Sequence, residues 1–115
     1  ITGDVAFFYD INALFNARLP QNLKIILLNN HSGGIFEMIS GPDKMGDSME
    51  YQTTPHAYEA DKLAEHFGLG YFKADTIGKF AQGYDMLSGS EGAFILEVQT
   101  SKESNRAFFE QFKNV

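Results

Sequence analysis

The sequence contains no cysteine, and this absence removes whole classes of chemistry. Disulfide bonds, zinc–thiolate centres and thiol nucleophiles are excluded for these 115 residues. No apolar run approaches the roughly 20 residues that a membrane-spanning helix needs, so we predict no membrane span. The lack of cysteine fits a reducing compartment, and we predict a cytoplasmic protein.

Basic residues are also scarce. Nine Lys and Arg residues stand against 15 Asp and Glu residues, which gives a formal net charge of -6. This balance argues against nucleic acid or an anionic membrane surface as a partner. A local phosphate site remains compatible with it, because a metal ion and backbone N–H groups hold a diphosphate without a basic patch.

The length of the chain suits one compact domain, and we predict a single domain over residues 1–115. Its hydrophobic content of 43% is ordinary for a folded core. The chain begins at Ile1, without an initiator methionine, and its first residues resemble the end of a strand. We therefore expect a piece of a longer protein.

Two periodicities alternate along the chain. Helical spacing of apolar residues predicts helices over residues 7–18, 60–67 and 77–87, and a last helix marked by Phe108, Phe109 and Phe112. Short apolar runs predict buried strands at residues 23–28 and 93–98, with a shorter candidate at 71–74. This alternation predicts an α/β fold of three layers, a mostly parallel sheet with helices on both faces.

Helix ends, caps and loops are predicted between these segments. Pro20 is predicted to end the first helix and Gly68 the second. Thr100 and Glu103 resemble a capping box for the last helix. Residues 41–55 are polar and show no period, so we predict a long surface loop, with mobility over residues 37–58.

Polar pairs stand where two of the predicted strands end. Gly3-Asp4 follows the opening strand, and Asn29-Asn30 follows the run at 23–28. The carboxyl ends of parallel strands meet at one edge of a sheet, where open α/β folds bind their ligands. A carboxylate and a carboxamide there suit Mg²⁺, which takes oxygen ligands and is commonly shared with phosphates. The alternative is that Asp4 is an ordinary helix N-cap.

These pairs resemble the shared motif of the thiamine-diphosphate-dependent enzymes, Gly-Asp-Gly followed further along by Asn-Asn. Val5 replaces the third Gly, a departure found in the menaquinone-pathway branch of that family. The segments GDVAFFYDINAL and NNHSGGIF resemble that branch's GDLS…DLN-L and NNNGG-IF, and the likeness extends loosely through TPHAYEADKLAEHFGLGY to the end. The resemblance implies that the chain is the C-terminal, diphosphate-binding domain of such an enzyme.

The resemblance also implies a role for each matched position. The Mg²⁺ ligands are the side chains of Asp4 and Asn30 and the backbone carbonyl of Ser32. The implied cofactor contacts are these three residues together with Val5, Ala6, Gly33 and Ile35, of which Val5 and Ala6 offer only backbone N–H groups. The implied apolar wall beside the thiazolium and the substrate consists of Ile35, Phe36 and Ile39. Asn29 is expected to fix the turn, whereas His31 and Ser32 depart from the family's Asn and Gly.

Members of the branch are implied to be transferases that use thiamine diphosphate and Mg²⁺. They decarboxylate 2-oxoglutarate and add the succinyl unit to isochorismate in menaquinone biosynthesis. The activating Glu lies on a pyrimidine-binding domain of a second subunit, so we expect a homo-oligomer, no catalytic residue in this chain and no turnover by the chain alone. The alternatives are another 2-oxo-acid decarboxylase or acetolactate-type synthase, a non-catalytic α/β interaction domain, and a flavodoxin-like nucleotide binder.

Other chemistry-bearing residues have simpler explanations. The spacing of His31, His56 and His66 matches no metal-ligand motif, although His31 is placed to contact substrate if the cofactor binds beside it. The acidic residues Asp43, Asp47 and Glu50 lack the order of a calcium loop and are interpreted as solvated. The three Phe residues of the last helix are interpreted as core or as a contact with a partner domain.

Overall fold

The computed structural model describes residues 1–35 and 48–113. Its elements, in chain order, are β1 (Thr2–Gly3), α1 (Asp4–Tyr9), a 3₁₀ turn (Ile11–Leu14), β2 (Lys24–Asn29), α2 (Met49–Thr53), α3 (Asp61–Phe67), β3 (Gly70–Ala74), α4 (Ile77–Gly89), β4 (Phe94–Gln99) and α5 (Lys102–Lys113). Strands and helices alternate, as the two periodicities predict.

The strands form one parallel sheet in the order β1-β2-β4-β3. Its longest pairing joins β2 to β4 from Lys24↔Phe94 to Asn29↔Gln99. The apolar runs of these two strands make the central pair because both of their faces are covered. The predicted α/β class and parallel sheet are confirmed.

Alternate residues of the central strands face two separate apolar layers. On one face Leu27 and Ile95 pack with Phe7 of α1 and Ala64 of α3. On the other face Leu96 packs in a second cluster, whose buried members also include Phe94, Ala74 and Leu87 of α4. Helices therefore cover both faces of the sheet, which confirms the predicted three-layer arrangement.

Helix α4 lies close against its face of the sheet because Gly83 has no side chain. A Cβ atom at Gly83 would come within 2.5 Å of Leu96 Cδ1 and 2.7 Å of Phe72 Cδ1. By contrast, a Cβ atom at Gly78 in the same helix would meet nothing within 4 Å. Gly83 therefore permits the close packing of α4, whereas Gly78 faces open space.

One of the two predicted helix ends differs from the structure. The helix predicted over residues 7–18 is wrong in length, because α1 ends at Tyr9 and a 3₁₀ turn follows. Asp10 closes α1, and its N–H group bonds to the carbonyl oxygens of both Ala6 and Phe7. Asp and Asn side chains compete for nearby backbone groups and so favour such ends. The second predicted end is confirmed, since Gly68 closes α3 with a left-handed φ of 68°.

Two further local predictions are wrong. The cap of α5 is one residue later than the predicted Thr100–Glu103 box, because Ser101 Oγ accepts the Ser104 N–H group at 3.1 Å. The surface-loop interpretation of residues 41–55 fails for the helix Met49–Thr53, where Thr53 is buried. Residues 41–47 of that loop and residues 37–47 of the segment predicted to be mobile lie outside the described residues, so the mobility stays a prediction.

The last helix is not part of the core. Phe108 is 70% exposed and Phe112 is 68% exposed, so the core interpretation of these residues is wrong for this chain. Their contact with a partner domain stays a prediction. Within residues 1–35 and 48–113, no helix has the length and apolar character to cross a membrane.

Candidate functional site

The site forms at the carboxyl edge of the sheet, where β1 and β2 end side by side. Gly3 pairs with Leu28, so Asp4 and the residues after β2 leave the sheet at the same level. Asp4 is the first residue of α1 and Gly3 occupies the N-cap position. The Asp4 carboxylate accepts the N–H group of the next residue, Val5. An N-cap side chain instead accepts an N–H group two or three residues further along the helix. The N-cap alternative for Asp4 is therefore wrong.

One backbone N–H group brings the predicted ligand oxygens together. The Ser32 N–H group donates to Asp4 Oδ2 at 3.0 Å and to Asn30 Oδ1 at 3.1 Å. Asp4 is 3% exposed and Ser32 is 2% exposed, so the bonds are sheltered from water. The structure thus places Asp4, Asn30 and Ser32 at one point.

The turn over residues 29–32, called here the 29–32 turn, is shaped by Asn29. The Asn29 Oδ1 atom accepts the His31 N–H group at 2.9 Å, which closes an Asx turn. His31 has a left-handed φ of 60°, unusual for a residue with a side chain. The expectation that Asn29 fixes the turn is confirmed.

The other residues predicted to contact the cofactor differ in their exposure and in the partners of their backbone N–H groups. Val5 N–H is engaged by Asp4 Oδ1 at 2.8 Å, so a diphosphate oxygen would have to replace that bond. Ala6 is exposed, and the Gly33 N–H group donates to the Thr53 carbonyl. Ile35 is 64% exposed. Its implied neighbours in the apolar wall, Phe36 and Ile39, lie outside the described residues.

His56 belongs to this site, although no spacing in the sequence indicated it. Its side chain is 6% exposed, and its Nε2 atom lies 3.2 Å from Asp4 Oδ2, without the alignment of a hydrogen bond. The Tyr58 N–H group donates to His56 Nδ1 at 3.1 Å, which assigns the ring proton to Nε2, facing the carboxylate. His56 also donates its backbone N–H to the His31 carbonyl. His66 lies apart in α3, against Phe67.

A second residue that no motif in the sequence indicated, Glu97 of β4, bonds to Asn29 at the start of the 29–32 turn. It is completely buried, and its Oε1 atom accepts Asn29 Nδ2 at 2.6 Å. Its Oε2 atom accepts the Ala60 N–H group at 2.9 Å and the Tyr71 hydroxyl at 2.6 Å. The sequence carried a signal for it, since a carboxylate inside the apolar run 93–98 requires buried partners.

Tyr71 is held in its neutral form by this contact. Burial raises the pKa of the Tyr71 hydroxyl above its ordinary value of 10.0, and the hydrogen bond to Glu97 raises the pKa further. Between the unfolded and folded pKa values the folded state holds a proton that the unfolded state has lost, so the free energy of unfolding decreases as pH rises.

We therefore expect alkaline destabilisation that depends on Tyr71. Above about pH 10 the loss is at most about 1.4 kcal/mol per pH unit, reduced by solvent because the side chain is only partly buried. Urea unfolding between pH 8 and 11 measures it. Tyr71→Phe should lower the free energy of unfolding at pH 8 and flatten the alkaline slope, and an unchanged slope would contradict the assignment.

The outer side of the turn is polar. Lys73 Nζ bonds to Glu59 Oε1, and this hydrogen bond raises the pKa of Lys73. Gln99 Nε2 lies 3.3 Å from the same Glu59 oxygen and 3.5 Å from His31 Nε2. A small cavity of about 200 Å³, lined in part by Val5, Phe8 and His56, opens beside Asp4. The site thus has a charged rim and an apolar side.

Comparison with known proteins agrees with the geometry. The chain is 40% identical over 113 residues to the 2-succinyl-5-enolpyruvyl-6-hydroxy-3-cyclohexene-1-carboxylate synthase of Flavobacterium johnsoniae, a match over 97% of this chain. The synthase of the same name from Cytophaga hutchinsonii is 40% identical over 114 residues, and that of Flavobacterium psychrophilum is 39% identical over 116. The chain spans about a fifth of the length of these relatives. No protein-family model matches it.

Proposed function

Because the chain belongs to the 2-succinyl-5-enolpyruvyl-6-hydroxy-3-cyclohexene-1-carboxylate synthase family, we propose that it holds the Mg-diphosphate end of thiamine diphosphate. The proposed Mg²⁺ ligands are Asp4, the side chain of Asn30 and the carbonyl of Ser32. The proposal goes beyond the family relationship, which rests on about a fifth of the relatives' length.

One observation carries the proposal: Asp4 Oδ2 and Asn30 Oδ1 accept the same Ser32 N–H group. A shared donor places both oxygens at the same point of the turn, where we propose that they share one small cation. Mg²⁺ prefers such hard oxygen ligands and keeps other positions for water and phosphate. The Ser32 carbonyl accepts the Gly34 N–H at 3.0 Å and has a second lone pair for a metal.

The charge of the site supports a cation. Asp4 is a nearly fully buried carboxylate, and its partners within residues 1–35 and 48–113 include the Val5 and Ser32 N–H groups and the His56 ring. Burial of a carboxylate is costly unless a positive charge or strong hydrogen bonds compensate for it. A divalent cation supplies that compensation, and the same cation neutralises a diphosphate in an otherwise acidic protein.

Thiamine diphosphate, when bound, would supply the nucleophile and the electron sink for decarboxylation of a 2-oxo acid. The residues of this chain bind and orient. Asp4 and Asn30 hold the cation, the 29–32 turn fixes their spacing, and Ile35 supplies apolar surface beside the site. Phe36, Ile39 and the N–H groups of Val5 and Ala6 keep their proposed roles as contacts.

For the whole enzyme we propose the reaction of the menaquinone-pathway branch, with 2-oxoglutarate and isochorismate as substrates. The activating Glu is proposed to come from a pyrimidine-binding domain of a second subunit. The 115-residue chain alone is then incapable of turnover, since it lacks that group.

Calorimetric titration of the purified full-length protein with thiamine diphosphate tests the proposal. We expect saturable binding with 5 mM Mg²⁺ and none after removal of divalent cations with EDTA. Flavin mononucleotide and ATP serve as matched ligands that carry phosphate. Binding of either without Mg²⁺, with no binding of thiamine diphosphate, would replace the proposal by the flavodoxin-like alternative, and no binding at all would favour the interaction domain.

A further inference from the structure

We infer that Glu97 is a positioning residue, which fixes the amide orientation of Asn29 and through it the cation-binding shape of the 29–32 turn. The inference rests on the proposed function for the identity of the ligand, but its structural part stands on hydrogen bonds alone. Glu97 has no contact with the proposed ligand atoms, so its effect is transmitted entirely through Asn29.

The hydrogen-bond donors around Glu97 require its side chain to act only as an acceptor. Three groups point hydrogens at its two oxygens: Asn29 Nδ2 at Oε1, and the Ala60 N–H and Tyr71 hydroxyl at Oε2. A carboxylate offers only acceptors and so satisfies all of them, whereas a carboxamide of the same shape offers an acceptor on one side and a donor on the other. The site is therefore built for an acid at this position.

Asn29 transmits this requirement to the turn. Its amide nitrogen donates to Glu97 and also to the Tyr58 carbonyl, at 2.6 and 2.9 Å. With the nitrogen held on that side, its oxygen must face the His31 N–H group, which it accepts at 2.9 Å. The direction of the Asx turn is thus set by the acceptors on the other side of the amide.

An amide at position 97 is expected to reverse this arrangement. Its oxygen will stay with Ala60 and Tyr71, because those are two donors and the backbone N–H cannot rotate. Its nitrogen then faces the nitrogen of Asn29, and the Asn29 amide relieves the clash by turning over. The turned amide presents a donor to the His31 N–H group, so the bond that closes the 29–32 turn is lost.

Glu97→Gln in the full-length protein tests this sequence of effects by two measurements. Hydrogen exchange by mass spectrometry, without ligand, should show exchange in the peptide covering residues 29–33 that is faster by roughly tenfold, as for the loss of a single hydrogen bond. Calorimetry with Mg²⁺ should show affinity for thiamine diphosphate lower by about 10- to 100-fold, as for loss of a residue that orients a metal ligand.

Tyr71→Phe is the matched control, because it removes a donor from the same carboxylate without changing the orientation of Asn29. Its exchange rate at residues 29–33 and its affinity for thiamine diphosphate should stay within about twofold of the wild-type values. This change is much smaller than the loss of about 10- to 100-fold expected when an orienting residue is removed. Equal changes in both variants would show a merely structural role and overturn the inference.

A second variant distinguishes a change in the Asn29 orientation from misfolding of Glu97→Gln. The double variant Asn29→Asp/Glu97→Gln again provides an acceptor for both the position-97 amide and the His31 N–H group. Its exchange at residues 29–33 should be slower than in Glu97→Gln, and no recovery would overturn the inference. If wild type fails to bind thiamine diphosphate, the proposed function falls, while the exchange measurement still decides the role of Glu97.

Discussion

Replacing Asp4 with asparagine should lower the Mg²⁺-dependent affinity for thiamine diphosphate by about 30-fold or more. Truncating one partner of a buried charge pair costs about 2–5 kcal/mol, and every 1.4 kcal/mol corresponds to about tenfold. The asparagine has the same shape and retains one oxygen for the Ser32 N–H group, so the fold is expected to survive. Calorimetric titration in Mg²⁺ buffer, paired with a thermal unfolding curve without ligand, measures both effects.

Asp10→Asn is the control for this variant. It makes the same chemical change, in an exposed residue at the end of the same helix, and is expected to bind the cofactor like wild type. Equal losses in both variants would indicate a general effect of net charge. Unchanged affinity in Asp4→Asn would remove the carboxylate from the proposed metal site.

The second large effect is on stability, and it concerns Leu96 beneath α4. Leu96 is completely buried, and Leu96→Ala should lower the free energy of unfolding by about 2–5 kcal/mol through lost burial and the cavity left behind. Leu28→Ala makes the same change on the neighbouring strand at a side chain that is 43% exposed. Its cost should be less than about half as large, since less apolar area is lost to water. Urea unfolding curves compare the two.

The contact between Leu96 and α4 makes this prediction more specific. Gly83→Ala alone should destabilise the protein by about 1–3 kcal/mol through overpacking, because its Cβ atom would lie 2.5 Å from Leu96 Cδ1. In the double variant with Leu96→Ala that methyl group enters space that the leucine has left. The double variant should therefore lose less stability than the sum of the single variants. Strict additivity would mean that contact with Leu96 does not cause the cost of Gly83→Ala, which also places its Cβ atom 2.7 Å from Phe72 Cδ1.

Much of the architecture was predictable because its signals are local. The apolar runs at 23–28 and 93–98 became β2 and β4 nearly residue for residue, and Gly68 ends α3 as expected. The juxtaposition of Asp4 with Asn30 was also predictable, since parallel strands deliver their carboxyl ends to one edge. Here local pattern and topology determine the same arrangement.

The parts that sequence reasoning missed are contacts between distant segments. His56 approaches Asp4 from a loop after α2, and Glu97 of β4 bonds to Asn29 on the neighbouring strand β2. Neither contact leaves a periodic signal, because the partners are far apart along the chain. Glu97 was nevertheless conspicuous, as a charge between Leu96 and Val98 in a buried strand.

Backbone pairing between β1 and β2 ends at Gly3, so beyond that point the start of α1 is joined to the 29–32 turn by the bond between Asp4 and the Ser32 N–H group. An ion that bridges Asp4 and Asn30 would add a second link between α1 and the turn. Mass action then couples how firmly α1 is seated to the concentration of the ion. Occupancy of the site and order at the amino end of α1 are, on this view, one equilibrium.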